Sequence, residues 1–417
     1  MEVLIISHTF PPDMGGASSR AWSVAKGLTK HGHHVQVVAA RSYYPHGRVS
    51  PQNKHKFFFR EKREGVDILR VWIPALETAG LAKRLVLYFG FTIASIFGFF
   101  LLVRNKYDVV HYSSPYSLSF FSIPACIFGR FKGSMVLLDV HDLWPEVILE
   151  AGMIESTFAE RILGLGTRVT YALSSYVTPI SDSIGQSLMA TGMPKRKVKT
   201  LELAVDTDFF HPIARESLAG SADKGFLAEY SGLLGRKFDF EILIEAARAL
   251  GNRGVEISFL IRGDGEMKNH VMNLAKGLRN VDVRTDLMSE GEVMKVLNLA
   301  DVLLCPLKGS KEDAAGIPTK VIEYLAVGKP IVCSAIGDTA SLLKAGNAGI
   351  VVPPGDSASF SDAILLLCQD RKLAEEKGKQ ARALAVARFS IDKLNSEIEA
   401  LHGEYAGNRN IGRRSTV

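Results

Sequence analysis

The densest chemistry in this chain lies in Ala314 to Pro330, AAGIPTKVIEYLAVGKP. Ala314-Ala315-Gly316 is a small-residue loop. Pro318 opens a helix whose Val321, Ile322, Leu325 and Ala326 recur at helical spacing until Gly328 ends it. A glycine loop feeding a helix N-terminus aims unpaired backbone N–H groups and the positive end of the helix dipole at one point, which suits a phosphate. Glu323 falls in the second turn, on the side facing back toward that loop. Its carboxylate can accept hydrogen bonds from two vicinal hydroxyls, such as those of a ribose. His141 and Asp142 follow the apolar run Met135–Val140, and the carboxyl ends of strands are where open α/β sheets bind ligands. Arg236 and Lys237 stand beside Gly232 and Gly235 at a strand-to-helix turn, where cations can stabilise a departing diphosphate. The plain alternatives are a half-buried core helix, a structural strand-end histidine and a surface turn.

The elements that must position these groups alternate. Val3–Ile6 is a buried strand, followed by Ser7 to Ala17 with two prolines and the pair Gly15-Gly16, then by a helix over Arg20–His31 and a strand over Val35–Ala39. Strand, glycine loop, helix and strand make a Rossmann-like unit. Further strands are expected at Asp108–Tyr112, Met135–Val140, Ser175–Pro179 and Lys197–Leu201. Helices are expected at Ser117–Phe128 and Glu155–Leu173, with Ser181-Asp182 capping another through Ala190. The second half repeats the alternation, with strands at Phe226–Tyr230, Glu256–Ile261, Val281–Val283, Val302–Cys305, Ile331–Ser334 and Gly349–Val352. Met288–Leu299 reads as a helix, and the chain is helical from Ser357 to His402. The fold class is α/β, with two parallel-sheet domains. The boundaries are an N-terminal domain over 1–205, a hinge and linker over 206–224, a C-terminal domain over 225–388, a helix over 389–405 returning to the N-terminal domain, and a disordered tail over 406–417.

At 417 residues, with 47% hydrophobic and 23% charged residues, the chain is globular and long enough for two cores. The net charge of +6 suits an anionic ligand or an anionic membrane face and does not call for nucleic acid. Four scattered cysteines have neither metal-ligand nor redox spacing, which points to a reducing compartment. The start Met-Glu-Val-Leu-Ile-Ile-Ser reads as a strand and not as a signal peptide. No cofactor and no metal are expected. Asp206-x-Asp208 has metal-ligand character but stands in the hinge and is read as a joint.

Leu85–Val103 (LVLYFGFTIASIFGFFLLV) has no charge and is flanked by Lys83, Arg84, Arg104 and Lys106. As a helix it would be about 28 Å long, close to a hydrocarbon core. Spanning, lying in the interface and burial in a core all compete. The interface is favoured, with the outer face dipping into the bilayer between snorkelling cations. Gln52–Arg63, QNKHKFFFREKR, reads as a loop or edge strand, with a headgroup-binding patch as the sharper alternative.

Several of these motifs resemble those of the retaining sugar-nucleotide glycosyltransferases of the GT-B fold, family 4, in a branch working on lipid-linked surface glycans. Glu323-Tyr-Leu-Ala-x-Gly-Lys-Pro matches its signature, with Ala315 where the family has a first glutamate. P-P-D-x-G-G-x-x-x-R from Pro11, D-V-H-D-L-W-P-E from Asp139, V-D-T-x-x-F-x-P from Val205 and Gly263-Asp264-Gly265 are similar to further family segments. The family places an arginine directly after the glycine matching Gly232, where this chain has Leu233. The resemblance implies two Rossmann-like domains facing each other across a cleft. It puts the donor on the C-terminal domain against Gly232, Gly263, Asp264, Gly316, Ile317, Pro318, Thr319, Lys320 and Glu323, with Gly15 and Gly16 facing the donor phosphates. It implies His141, Asp142, Arg236 and Lys237 as catalytic residues. It also implies a nucleotide-sugar donor, a lipid-linked acceptor and a membrane surface as partners, and work at the cytoplasmic face of the membrane. A sugar-nucleotide epimerase on the same fold, or a catalytically silent binding subunit, are the alternatives.

Overall fold

The computed structural model describes residues 1–43, 49, 51–53, 55–74, 81–102, 105–113, 119–142, 157–218, 225–286, 288–310 and 314–414. The chain forms two compact units. The first is Met1–Ala204 together with Ile391–Val417, and the second is Val205–Ser390.

The first unit runs β1 (Glu2–Ser7), α1 (Gly16–Lys30), β2 (His34–Ala40), β3 (Phe58–Arg63), β4 (Val66–Val71), α2 (Leu81–Leu101), β5 (Val109–Tyr112), α3 (Ile123–Lys132), β6 (Met135–Val140), α4 (Thr157–Leu173), β7 (Tyr176–Pro179) and α5 (Asp182–Ala190). Its sheet has the order β3-β4-β2-β1-β5-β6-β7, parallel except for the antiparallel β3–β4 pair. Both faces are covered, so the inner strands are apolar without a break. One face, carrying Val3, Ile5, Val35, Val37, Met135 and Leu137, packs on α1 and on Ile391, Leu394 and Ile398 of the last helix. The alternate residues meet α2 and α3, where glycines let the helices come close. A Cβ on Gly98 would touch Val71, Leu69 and Val38, and one on Gly129 would come within 2.7 Å of Val136.

The second unit runs β8 (Phe226–Ser231), α6 (Phe240–Asn252), β9 (Ile257–Arg262), α7 (Lys268–Leu274), β10 (Val281–Arg284), α8 (Glu290–Leu299), β11 (Val302–Pro306), α9 (Thr319–Ala326), β12 (Ile331–Ser334), α10 (Gly337–Ala345), β13 (Gly349–Val352), α11 (Ser357–Gln369) and α12 (Arg371–Arg388). All its strand pairs are parallel, in the order β10-β9-β8-β11-β12-β13. Helix starts follow local chemistry. Ser289 and Glu292 form a reciprocal capping box on α8, and Asp239, Asp356 and Asp370 cap α6, α11 and α12. The last helix, α13 (Ile391–Arg414), belongs to the first unit.

Four local expectations change. Lys197–Leu201 is not a strand: Lys195–Lys197 is a 3-10 turn, and only Val198 bridges to β7, through Val177. Ser119–Ser122 is also a 3-10 turn, so the helix expected from Ser117 begins at Ile123 and runs on to Lys132. The hairpin partner β4 had not been read at all, although Glu64 (φ 45°) and Gly65 (φ 86°) make its turn. The C-terminal helical run is three helices, and the last extends to Arg414, well into the tail expected to be disordered.

One buried charge in the second sheet is not compensated. Both carboxyl oxygens of Glu229 on β8 lack a hydrogen-bond partner, and burial raises its pKa from 4.5 to about 8 against the pull of Arg262 and Arg284. A raised acid is protonated in the folded state and ionised in the unfolded one between these values, so stability is lost as pH rises from about 4.5 to about 8. Glu229→Gln should remove that slope. In urea melts its stability relative to wild type should climb by up to about 1.4 kcal/mol per pH unit across the window. Parallel pH profiles for the two proteins would show that Glu229 does not titrate there.

Candidate functional site

In the second sheet β8 has β9 on one side and β11 on the other, so the chain reverses its direction of travel between β8 and β11. Ligands of open α/β sheets bind outside the carboxyl ends of strands at such a switch point. The residues expected to hold a phosphate come together there. Gly232 follows β8 with φ 133°, and its N–H donates to the Arg262 carbonyl at 2.9 Å. Leu234 N–H donates to the Asp264 carbonyl at 2.9 Å, which joins the loop after β8 to the loop after β9. A Cβ on Gly263 (φ 149°) would lie 1.8 Å from the Gly232 carbonyl oxygen, so only glycine fits where these backbones meet. Asp264 accepts from Gly265 N–H and approaches Lys268 at 3.6 Å; its carboxylate is engaged within its own turn.

Helix α9 supplies the other wall. Pro318 is its N-cap, and no side chain caps its first turn. Before it, Gly316 (φ 94°) donates its N–H to Asp338 and accepts from the Thr339 hydroxyl, both on α10. The Tyr324 hydroxyl bridges Ser231 N–H and Ser231 C=O, each at 2.9 Å, so the start of α9 is fixed against the end of β8. Ile317, Pro318 and Thr319 are half-buried on the approach.

Two ionisable groups on α9 have no polar partner among the described residues. Lys320 is buried, and its Nζ lies 3.6 Å from the Tyr230 ring centroid and 4.0 Å from that of Phe238, with no hydrogen bond. Burial holds its ammonium well below the usual lysine range, despite the opposing pull of Cys305 and Glu323. Burial, with the charge of Glu290, raises Glu323 from 4.5 to about 7, and Lys320 opposes the rise. Arg236 and Lys237 take different positions. The Arg236 side chain is 78% exposed and pairs with Glu266 at 3.0 Å. Lys237 is exposed, with Nζ 5.3 Å from the Phe238 ring.

The switch point of the first sheet lies between β1 and β5. The loop after β1 reaches α1 through Gly15 (φ 104°), with Gly16 as the first helical residue. Asp13 steadies this loop by accepting from Ser42 Oγ and Tyr43 N–H, each at 2.8 Å. His8, at the start of the loop, is enclosed by Tyr43 and by Tyr88 and Phe91 of α2, and burial lowers it to about 3. Sequence reasoning passed over His8, whose signal was its place at a strand end.

His141 and Asp142 leave β6 as expected, His141 buried and Asp142 exposed. Leu143 to Glu146 of that motif lie outside the described residues. The organising group here is Asp139, quoted in the motif but not singled out. Its fully buried carboxylate takes Arg20 Nε at 3.0 Å, Thr178 Oγ1 at 2.7 Å and Ser113 Oγ at 3.1 Å. His111 Nε2 stands at 2.9 Å and His141 Nε2 at 3.6 Å. Burial alone would raise this acid, but Arg20 and then His111 hold it well below the carboxylate range. Arg20 also donates to the Leu201 and Glu202 carbonyls. One anion therefore fixes α1, β5, β7 and the approach of His141.

The family models give the class. Residues 15–204 match the glycosyl transferase 4-like domain, and residues 230–370 match the glycosyl transferases group 1 domain. The chain is a GT-B glycosyltransferase built from these two domains. It is 28% identical over 177 residues to the alpha-D-kanosaminyltransferase of Streptomyces kanamyceticus, covering 42% of this chain but only 45% of that protein. It is 24% identical over 352 residues to WcaI of Escherichia coli K12, named for colanic acid biosynthesis glycosyl transfer, covering 80% of this chain and 83% of that protein. Among solved structures, Anabaena Alr3699/HepE in complex with UDP and glucose superposes with a TM-score of 0.67 at 15% identity, covering 96% of this chain and 99% of that one.

Asp139→Asn leaves Arg20 buried without its anion. It should destabilise the protein by about 3–5 kcal/mol in urea, the range for breaking a buried pair. A loss under about 1 kcal/mol, the range of an exposed pair, would remove the carboxylate from its organising place.

Proposed function

We propose that this protein transfers a sugar from a UDP-sugar to a polyprenyl-diphosphate-linked glycan, with retention, in building a cell-surface polysaccharide at the cytoplasmic face of the membrane. The observation that carries the reading is the buried, unpartnered Lys320 ammonium on α9, with the half-buried Glu323 on the same helix, beside an uncapped helix start and a glycine-lined loop. A diphosphate satisfies the cation and the N–H groups, and a ribose diol satisfies the carboxylate. The complex of HepE with UDP and glucose and the colanic acid name of WcaI support a nucleotide-sugar donor and a polysaccharide product.

In this reading the second unit binds the donor through Gly232, Gly263, Asp264, Gly316–Lys320 and Glu323. In the first unit the residues assigned to the acceptor side are Gly15, Gly16, His141 and Asp142. The bond from the anomeric carbon to the diphosphate oxygen breaks. The acceptor oxygen attaches on the same face, and its proton passes to the departing phosphate. Same-face attack suits a site with no obvious protein nucleophile among the described residues.

The acceptor's lipid is inferred from the helix layer of the first unit. Among the described residues no helix is long and apolar enough to cross a membrane. Helix α2 nevertheless has two apolar faces. Leu87, Phe91, Ala94 and Phe99 are buried, while Phe89, Phe97 and Phe100 are 57–68% exposed. Exposed apolar residues continue on α3 with Ile127 and Phe131 and on α4 with Phe158, Ile162 and Leu165. Lys83, Arg130, Arg161 and Arg168 stand exposed on the same helices, as snorkelling cations would at an anionic bilayer.

Two experiments test this. UDP- and GDP-sugars are screened with and without membrane extract, reading nucleotide release, and uridine affinity is followed with pH. One donor should be hydrolysed slowly alone and faster with extract. Uridine, which does not ionise near neutrality, should bind about tenfold more weakly per pH unit below pH 7 as Glu323 protonates, and Glu323→Gln should abolish that dependence. Absence of nucleotide binding would overturn the reading. In the second experiment, Phe97→Asp with Phe100→Asp should move the protein from the membrane pellet to the supernatant. A wild type that never pellets would contradict the membrane assignment.

A further inference from the structure

The nucleotide-sugar reading leaves open which cation meets the diphosphate, and the obvious pair is poorly placed. Arg236 is extended into solvent against Glu266, and Lys237 lies outside the same ring that Lys320 covers from within. Leu233 fills the position directly after Gly232 and is 42% exposed. We propose that Lys320, held in the space between Tyr230 and Phe238, is the cation that neutralises the donor's diphosphate, and that Arg236 and Lys237 are dispensable for it.

The geometry carries this in three steps. Lys320 stands in the first turn of α9, the same turn whose N–H groups are left uncapped. Its Nζ is the group nearest the open side of Gly232: a Cβ built there would lie 2.8 Å from it. An anion lying on the Gly232 loop and the helix start is therefore within reach of this ammonium through a small side-chain rotation. The ammonium is also an orphan. Tyr230 and Phe238 offer it ring faces but no acceptor, and its Nζ makes no hydrogen bond. Aromatic faces favour a cation without discharging it, so the site is complete only when an anion arrives. The frame is fixed by the Tyr324 bridge to Ser231 and by the Tyr230 hydroxyl, which donates to the Leu233 carbonyl.

A linked proton supplies a second readout. The groups facing Lys320 are Tyr230 on β8, Lys237 after it, Cys305 on β11 and Glu323 on its own helix. Burial depresses its ammonium, Cys305 and Glu323 favour it, and Lys237 disfavours it. A diphosphate beside Nζ restores the charged form, so binding draws a proton from solution wherever the free lysine is partly neutral.

The test compares UDP with uridine on the full chain by titration calorimetry in buffers of different ionisation enthalpy. Lys320→Met keeps the side chain's length and apolar stem, and circular dichroism checks its fold. It should weaken UDP roughly 10- to 100-fold, the range for losing one charge-assisted contact, while uridine stays within about twofold. Proton uptake with UDP should also fall in this variant. Arg236→Ala with Lys237→Ala should keep the wild-type preference for UDP over uridine. Wild-type UDP affinity in Lys320→Met, or loss of the preference in the double variant, overturns the assignment. A wild type that binds neither UDP nor uridine sinks the nucleotide-sugar reading itself, an outcome distinguishable from the other two.

Discussion

Everything in the second unit depends on how closely two backbones approach after β8 and β9. The Gly232 carbonyl oxygen occupies space that a side chain at position 263 would need, and the Leu234 carbonyl does the same for position 265. Contact at that distance is open only to glycine. Once it is made, the Gly232 and Leu234 N–H groups are spent on Arg262 and Asp264, and the loop cannot swing away. The Tyr324 hydroxyl then ties the strand end to α9. A rigid loop and a helix start held side by side are what an anion site requires, because donors that need no reorganisation bind most effectively.

The two units treat buried charge in opposite ways. Asp139 is surrounded by Arg20, Thr178, Ser113 and two histidines, and these contacts tie α1, β5 and β7 to the strand. A buried ion so well compensated is architecture. Lys320 is buried against two rings with no hydrogen-bond partner, and the pull of Glu323 does not offset its burial; Glu323 is half-buried, and the pull of Lys320 does not offset burial and the charge of Glu290. Leaving such groups unpaired costs several kcal/mol each in principle. A fold retains that cost where a ligand removes it, and strongly shifted ionisable groups therefore mark functional sites more often than cores. Glu229 marks the limit of the argument. Like Lys320 it is buried without a hydrogen-bond partner, yet it stands within β8 and not on the loop or helix of the candidate site, so its burden falls on stability alone.

Sequence pattern revealed the parallel strands well, because strands covered on both faces are apolar without a break and short. Met135–Val140 and Gly349–Val352 needed no correction. The failures have physical causes. Lys197–Leu201 has a strand's composition, but its pairing with β7 is a single bridge, Val198 to Val177, with isolated bonds from Lys199 and Leu201 N–H. Val66–Val71 was passed over because Asp67 and Arg70 interrupt it, although Arg70 is buried and satisfied by Glu61 and by backbone carbonyls. In the candidate site, the glycines and Glu323 could be proposed from sequence because their chemistry is local. Lys320 as the inner cation and Asp139 as the hub were not, since each takes its meaning from residues brought near by the fold: Tyr230 and Phe238 for one, Arg20 and Thr178 for the other.

Helix α2 shows why hydropathy alone misleads. A run apolar all round reads equally as a core helix or a membrane helix. Here one side of the cylinder is core and the opposite side is exposed apolar surface. The inner side closes the sheet at Gly98 and encloses His8 at the β1 exit with Tyr88 and Phe91. The outer side continues the apolar surface of α3 and α4. A helix layer of an α/β unit ordinarily turns polar residues outward, since water is its second phase. Three neighbouring helices depart from that rule together, with exposed cations on the same helices, and the proposed membrane contact rests on that departure. His8 lies beneath that face and beside the first unit's switch point. The same helix therefore joins the proposed membrane contact to the loop that carries Gly15 and Gly16.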